Sequence, residues 1–514
     1  MEIEQSQSIF RKPSLLLDDS CGYPSAGVRA AFLYKFPETD GSSFWSKASS
    51  LAYRWLDSLT GTKSYKVRNP YLELQQPYAE VVDFLRSHGI ISYAALQDQR
   101  FNDAPAFFRF MVFGAYPAGM TDGKPLTNVF GSSYGKNQHE VFSKAIGEFL
   151  ERYFLTIYRK SDLIRAPLAA LRKRNMPFLD PAHLAGFSEG QKSENQRRQW
   201  NEDSVFCWIE AERVLTGEKV LVPAQLAYWN YAFEGEPLEP FLREENTNGG
   251  GGMFTREEAV LSGLYELVQR DAFLVYWLNS LTPEKVVPES VPDDLFQEIL
   301  AKSKRYGFEV HCMNTTADTE VPSFVVALLD KSGKSPYWSL GGGCEANPAH
   351  ALRRALEEAW IVYCCIRPLE KYDLPSGYQP FRDRSLGQEE RMRFWANSTS
   401  ATHGDFFLRG KKRDFSDYSF GYPLSFVDKK KELRFLAGKV EELGHGYEVY
   451  AYLPEHDILN RLGYCSAKVI VPQIIPLYLW EHNAPLGARR IKEVPFKLGL
   501  AAASEPNPWP HPFP

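Results

Sequence analysis

No stretch of this chain is apolar for anything near the roughly 18 residues a membrane helix needs. Its first ten residues, MEIEQSQSIF, carry acid where a secretory signal would carry base. Together these absences predict a cytoplasmic protein. Cysteine is scarce, with seven in 514 residues, Cys364 and Cys365 adjacent and no C-x-x-C spacing. That excludes a disulfide framework and a structural zinc site. An excess of base is missing as well: 59 Lys plus Arg against 64 Asp plus Glu give a net charge of −5, which argues against general nucleic-acid binding. A Walker loop is absent, because only three residues separate Gly131 from Gly135 and Asn137 follows Lys136. What is present is a 44% hydrophobic, 14% aromatic composition, that of a folded globular chain long enough for two or three domains.

Residues 131–158, GSSYGKNQHEVFSKAIGEFLERYFLTIY, read as a glycine-bearing loop running into an amphipathic helix. Val141, Phe142, Ala145, Ile146, Phe149, Leu150, Tyr153, Phe154 and Ile157 repeat at helical spacing and form one buried stripe. Glu148, Glu151 and Arg152 sit beside it, three and four residues apart, so both carboxylates can address one spot with the guanidinium close by. A second helix, 255–279, repeats the arrangement with Glu266, Gln269 and Arg270, and is apolar nearly all round. A carboxylate and a guanidinium on a buried helix need partners. Two such helices facing each other, related by approximate two-fold symmetry, would converge on a pocket suited to Mg²⁺ and phosphate. A third segment, 340–367, opens with Asn347 as N-cap and Pro348 at the first helical position, and carries Arg353, Arg354, Glu357 and Glu358. By itself it reads as a surface helix with Arg–Glu pairs.

The remainder is expected to be mixed α/β. Residues 77–96 suggest a helix closed by Gly89, and 106–119 a buried strand. Residues 160–245 suggest short strands with a mobile polar loop at 188–199. Four glycines, 249–252, precede the second motif helix, which Thr255 and Glu258 cap; such a run either lets amides approach an anion or acts as a flexible connector. KKKELRF at 429–435 reads as solvated charge, and 467–479 as a core strand broken by prolines. The chain ends PNPWPHPFP, with prolines alternating from Pro508 to Pro514. Alternating prolines hold an extended segment at little entropic cost, and the interleaved Trp509 and Phe513 argue that it docks.

GKNQHEVFSKAIGEFLERY (135–153), TNGGGGMFTREEAVLSGLYELVQRDA (247–272) and ALRRALEE (351–358) resemble, in order, three signatures of YcaO-type proteins. VIVPQIIPL and the proline-rich end resemble the azoline-forming branch, whose members cyclodehydrate Cys, Ser or Thr in ribosomal peptides. The resemblance implies a mixed α+β catalytic domain over 113–514 and does not clearly cover the chain before it; residues 1–112 read as a separate region, for partner docking or oligomerisation. It implies that Glu148, Glu151, Glu266 and Glu358 hold Mg²⁺ and ATP, with Lys136, Asn248, Arg152 and Arg270 near phosphate and the Pro514 carboxylate taking part in the chemistry. Lys144 stands where the family's first signature has Ser, and Gln269 where the second has Glu; both remain candidate nucleotide contacts. It further implies a precursor peptide substrate, a separate leader-recognition partner protein, and a homodimer within a larger synthetase complex. Two other classes stay open. Gly131-Ser132-Ser133-Tyr134-Gly135 matches the G-x-S-x-G of a serine hydrolase using Ser133, and the departures at Lys144 and Gln269 suit a non-catalytic scaffold.

Overall fold

The computed structural model describes residues 71–513, apart from 73, 75, 99–107, 115, 116, 118, 125–128, 234, 236, 237, 332–336 and 367–370. In chain order, β1 (Tyr71–Leu72), α1 (Gln76–Ser87), β2 (Ile91–Asp98), β3 (Phe108–Gly114) and β4 (Val129–Gly135) lead into α2 (Gln138–Phe154). Next come β5 (Ile164–Pro167), β6 (Val205–Arg213), β7 (Lys219–Pro223), β8 (Gly250–Met253) and α3 (Arg256–Leu278). They are followed by β9 (Lys285–Val286), α4 (Asp294–Arg305), β10 (Phe308–Asn314), β11 (Ser323–Asp330), β12 (Trp338–Cys344) and α5 (Pro348–Ile366). The last third adds α6 (Gln388–Trp395), β13 (Lys412–Arg413), α7 (Lys429–Glu441), β14 (Tyr450–Tyr452), β15 (Cys465–Ile470) and α8 (Arg490–Lys497).

Among the described residues the strands form three sheets, ordered β1-β2-β3-β4, β5-β6-β14-β15-β8 with β7 beside β6, and β12-β11-β10-β9-β13. Each of β4, β8 and β12 is the last strand of its sheet, and each turns directly into a helix: α2, α3 or α5. The three helices lie tightly on their strands because glycine sits at each crossing. A methyl group at Gly131, Gly251 or Gly341 would collide with the carbonyl of Ala145, Ala259 or Ala355. Each helix also packs on the next unit's strand, α2 on β8, α3 on β12 and α5 on β4, so the three units close on one another. The recurring unit thus occurs three times, where the sequence suggested a two-helix duplication.

The stripe predicted on α2 is buried as expected, from Val141 to Phe154. It packs against Val82, Leu85, Phe110 and Val112 from α1 and the first sheet. The expected boundary between residues 112 and 113 falls inside β3, so the described part of the N-terminal region shares its core with α2; residues 1–70 lie outside the described residues. Thr255 caps α3 by accepting the amide of Glu258, and Asn347 accepts the amides of Ala349 and His350.

Three local expectations are corrected. The polar segment 188–199 is folded, with Gln191 and Arg198 buried and donating to the carbonyls of Ala484 and His482 at 2.9 Å each. KKKELRF opens α7, and its Glu432 is buried, accepting from the Tyr265 hydroxyl at 2.8 Å. Three consecutive lysines obscured an amphipathic helix whose Leu433, Leu436 and Val440 reach the core. The strand expected over 467–479 ends at Ile470, because prolines cannot donate to a ladder; the chain beyond stays buried through Ile474, Ile475 and Leu477.

Candidate active site

The site grows from one local motif used three times. The amide of Ser132 in the middle of β4 donates to Glu148 on α2 at 2.7 Å, that of Gly249 before β8 to Glu266 on α3 at 2.8 Å, and that of Gly342 on β12 to Glu358 on α5 at 2.6 Å. In each unit a helical glutamate fixes one oxygen on its own strand, or on the residue just before it, 16 or 17 residues earlier. A charge-assisted bond of this kind is short and directional, so it sets where the second oxygen points. That of Glu148 meets Arg152 at 2.6 Å, that of Glu266 lies 3.6 Å from Arg270, and that of Glu358 lies 4.0 Å from the same guanidinium. Arg270 therefore ties the second and third units together. The glycine run at 249–252 does present an amide to an anion, and the anion is Glu266. It is no flexible connector, since β8 pairs residue by residue with β15 from Met253 to Gly250.

Three residues further along each helix the units diverge: Glu151, Gln269 and Ile361. The Glu151 carboxylate lies on Gly250 and the Gln269 amide on Gly342, each where any Cβ would be in the way. Desolvation, with Glu266 and Glu148 as like charges nearby, pushes the Glu151 carboxyl up to about 8. Desolvation likewise raises Glu358, against the pull of Arg270. Burial, more than any imbalance of charge, is what holds these carboxyls up. In the third unit Ile361 and the buried Val362 replace the second carboxylate and the arginine, so α5 contributes Glu358 alone.

Sequence reading missed two cations behind these glutamates. Lys468 on β15 is 3% exposed and donates to the Asn246 carbonyl at 2.5 Å. Burial and the neighbouring Arg243 lower its ammonium to about 7, opposed by Glu266 and Glu151. Arg243 is itself buried, which lowers it to about 10. Nothing marks them in the sequence: Lys468 sits in an apolar strand, where it reads as an outlier, and Arg243 in a loop.

The other predicted contacts are spread more widely. Asn248 is buried and spends its amide on the Leu477 carbonyl at 2.9 Å, which makes it a brace of the glycine turn. Lys136 pairs with Glu298 at the surface. Lys144 pairs with Glu140 one turn earlier at 2.5 Å and faces Glu357 of α5. Ser133 does not sit on a nucleophile elbow: it lies within β4, opposite Phe110, and the whole G-x-S-x-G stretch is strand. A hydrolase using it has no strained strand-to-helix turn to expose the hydroxyl.

The tail docks. Asn507 donates to the carbonyls of Leu278 at 2.8 Å and Trp277 at 3.2 Å, and the indoles of Trp277 and Trp395 donate to the Trp509 and Pro510 carbonyls at 3.2 and 3.0 Å. His511, fully buried and held neutral by burial, bonds the Tyr478 carbonyl at 2.9 Å. The Phe513 ring ends beneath Arg270, 4.3 Å from the guanidinium carbon, and beside Gly342. The described chain thus finishes inside the carboxylate site; Pro514 lies outside the described residues.

Several buried polar atoms here have no protein partner: Ser132 Oγ, Arg152 Nε, Gln269 Nε2, and Nε and Nη1 of Arg270. Buried polar atoms are seldom left unmet, and this set suits the oxygens of a polyanion. The glutamates are hard oxygen donors, as Mg²⁺ prefers. Among the described residues no three His, Cys, Asp or Glu side chains are gathered tightly enough to hold a metal ion alone. Mg²⁺ does not require that, because it is usually held by one or two carboxylates and the phosphates of its nucleotide. The residues therefore fit a Mg–nucleotide pair.

Fold and site define an α+β protein in which three strand–helix units bring glutamates and arginines together where they meet. The chain belongs to the YcaO family: residues 133–475 match the family described as YcaO cyclodehydratase, ATP- and Mg²⁺-binding. Among curated proteins it is 31% identical over 158 residues to an uncharacterised protein of Methanothermobacter thermautotrophicus, covering 30% of this chain and 40% of that one. It is 29% identical over 208 residues to an uncharacterised protein encoded 3′ of tfuA in Rhizobium leguminosarum bv. trifolii, covering 39% and 46%. The matches span less than half the length of either relative. A heterocyclase solved in complex with substrate and cofactor superposes with a TM-score of 0.67 at 19% identity, over 85% of this chain and 57% of that one. YcaO from Methanopyrus kandleri bound with AMPPCP and Mg²⁺ gives 0.54 at 16% identity, over 77% and 91%. The E. coli microcin synthetase McbBCD complex gives 0.54 at 14%, over 74% and 87%. Among the described residues no helix is long and apolar enough to cross a membrane.

Proposed function

We propose that this chain catalyses ATP-dependent cyclodehydration of Cys, Ser or Thr residues in a ribosomally made precursor peptide. The observation that carries this reading is the end of the docked tail beneath Arg270, beside carboxylates suited to Mg²⁺ and ATP. A side-chain thiol or hydroxyl adds to the carbonyl of the preceding residue, losing its proton to a base. The resulting oxyanion takes the γ-phosphoryl group of ATP and leaves as phosphate while the amide nitrogen loses its proton, giving thiazoline or oxazoline, ADP and phosphate. When bound, Mg²⁺ neutralises charge on the phosphate oxygens. Glu148, Glu151, Glu266 and Glu358 would hold it. Arg152 and Arg270 would lie against transferring phosphate, where preorganised cations act most strongly. The docked tail would bring Pro514 to the peptide, where it would take part in the chemistry as a base or by ordering the pocket.

A precursor peptide and a separate leader-recognition protein are the proposed partners, within a synthetase complex containing a homodimer of this chain. The heterocyclase solved with substrate and the McbBCD complex support a substrate and partner proteins. Its test is incubation of the purified chain with ATP, Mg²⁺, the partner and a Cys/Ser/Thr-rich peptide encoded beside its gene. Loss of one water mass per ring, with one ATP consumed, is expected. ATP binding without any mass loss on that peptide would instead favour the scaffold reading, which Gln269 and Lys144 motivate.

A further inference from the structure

Away from the carboxylate site, a cavity of about 380 Å³ opens between residues 195–198, Ala232, Phe233, Leu238 and Phe241, and residues 482–483. Its walls carry four cations, Lys124, Arg197, Arg198 and Arg384, interleaved with Phe233 and Phe241. This is a local concentration of base on a chain whose net charge is −5. Three of the cations are exposed at the rim, whereas Arg198 is 7% exposed and reaches the floor. Its Nη2 is fixed by the His482 carbonyl at 2.9 Å and Asn483 at 3.1 Å, while its buried Nε has no partner. The adjoining His482 Nδ1 is likewise buried without a partner. Burial, Arg198 and Arg384 push that imidazole down to about 4, so it stays neutral. The carboxylates nearby are engaged or few: Glu245 pairs with Lys124, Glu194 with Arg382, and Asp383 takes the Ser385 amide and hydroxyl. Arg197 and Lys124 lie over the Phe233 face, 5.2 and 5.3 Å from its centre, so the rim cations and apolar surface form one strip. Leu238, 46% exposed, extends it.

Charges spread along an apolar wall, with one at the bottom, match a ligand with several separated anions on an apolar body better than one compact anion. We propose that this cavity is a second binding site, for an acidic peptide segment with apolar or aromatic side chains between its carboxylates. The substrate peptide as its source rests on the cyclodehydratase reading; the site's chemistry does not. The cavity is joined to the active site through one segment. Asn483 donates to Glu244, which accepts the amides of Leu479 and Trp480, and Leu477 accepts from Asn248. A peptide held here would be anchored a few residues of chain away from the docked tail.

The test uses the full chain and a labelled heptapeptide alternating Glu with Phe or Leu, followed by fluorescence anisotropy. Arg197→Glu and Arg384→Glu alter exposed rim residues and should each weaken binding about tenfold, with more loss together. Replacing the peptide's Glu with Gln should weaken it at least as much, and Mg–ATP affinity by calorimetry should stay within about twofold. Unchanged peptide affinity in the double variant, or equal binding of the Gln peptide, would overturn the proposal. So would inorganic phosphate displacing the peptide at a lower concentration than an unlabelled copy, because the site would then be a compact anion site. Loss of cyclisation with peptide binding intact would count against the cyclodehydratase reading alone.

Discussion

Gly250 and Gly342 show how closely one residue can control this site. Each lies where a glutamate or glutamine of the neighbouring unit must pass, Glu151 over Gly250 and Gln269 over Gly342. Gly250→Ala should displace the Glu151 carboxylate and weaken Mg–ATP binding tenfold or more, at a stability cost of about 1–3 kcal/mol for overpacking. Gly438→Ala makes a control, because nothing lies within 4 Å of the added methyl. Calorimetric titration with ATP and a thermal melt of both variants check this, and full ATP affinity in Gly250→Ala would contradict the arrangement. Such roles are invisible in sequence: a run of four glycines says that side chains are unwelcome but not what approaches. The glutamates were legible because helical spacing put them beside an apolar stripe. Lys468 and Arg243 were not, because their neighbours come from distant strands and loops.

At the level of elements, the tail is held beside the site by a cradle of buried side chains. Arg391, 1% exposed, donates to the carbonyls of Tyr478 at 3.1 Å, Leu479 at 2.7 Å and Phe513 at 3.5 Å. Arg391→Met should free the end of the tail, leaving carbonyls unmet at a cost of about 1–3 kcal/mol each. Limited carboxypeptidase digestion should then remove residues that resist it in the parent protein. Removing Pro512, Phe513 and Pro514 should reduce ring formation far more than ATP affinity, as should a few residues appended after Pro514. Unchanged ring formation in the extended protein, followed by mass, would show that the tail is only packing. The docking of this segment was readable from its alternating prolines and aromatics, and so was the burial of α3 on nearly all sides. The helix carrying Glu358 misled, since its Arg–Glu spacing looks like a solvated face until β12 supplies the Gly342 amide.

For the whole molecule, the same cradle makes stability depend on pH. Glu481 is fully buried 3.8 Å from Arg391, with neither oxygen hydrogen-bonded, and burial raises its carboxyl to about 7. The folded state therefore holds this proton where the unfolded chain, near 4.5, has released it. Its contribution is fully present below about pH 4.5 and is lost as pH rises through about 7, about 3 kcal/mol in all. Glu481→Gln keeps the group neutral, so the difference in stability between variant and parent should grow in the variant's favour from about pH 5 to about pH 9. Denaturant melts across that range check the sign, and a constant difference would mean that Glu481 is ionised throughout.

At this scale the sequence conveyed mixed α+β architecture and two motif helices sharing a site, yet implied a two-fold relation. The third unit was hidden because Ile361 and Val362 erase the second half of its pattern. The account stands on the three units meeting at one nucleotide. The direct measurement is calorimetric titration of ATP, in saturating Mg²⁺, into Glu148→Ala, Glu266→Ala and Glu358→Ala, with Ser133→Ala as the control outside the site. Loss of at least tenfold in affinity in each of the three glutamate variants, with the folded melt retained and the serine variant unchanged, is the predicted result. Full ATP affinity in any one folded glutamate variant would contradict a shared site.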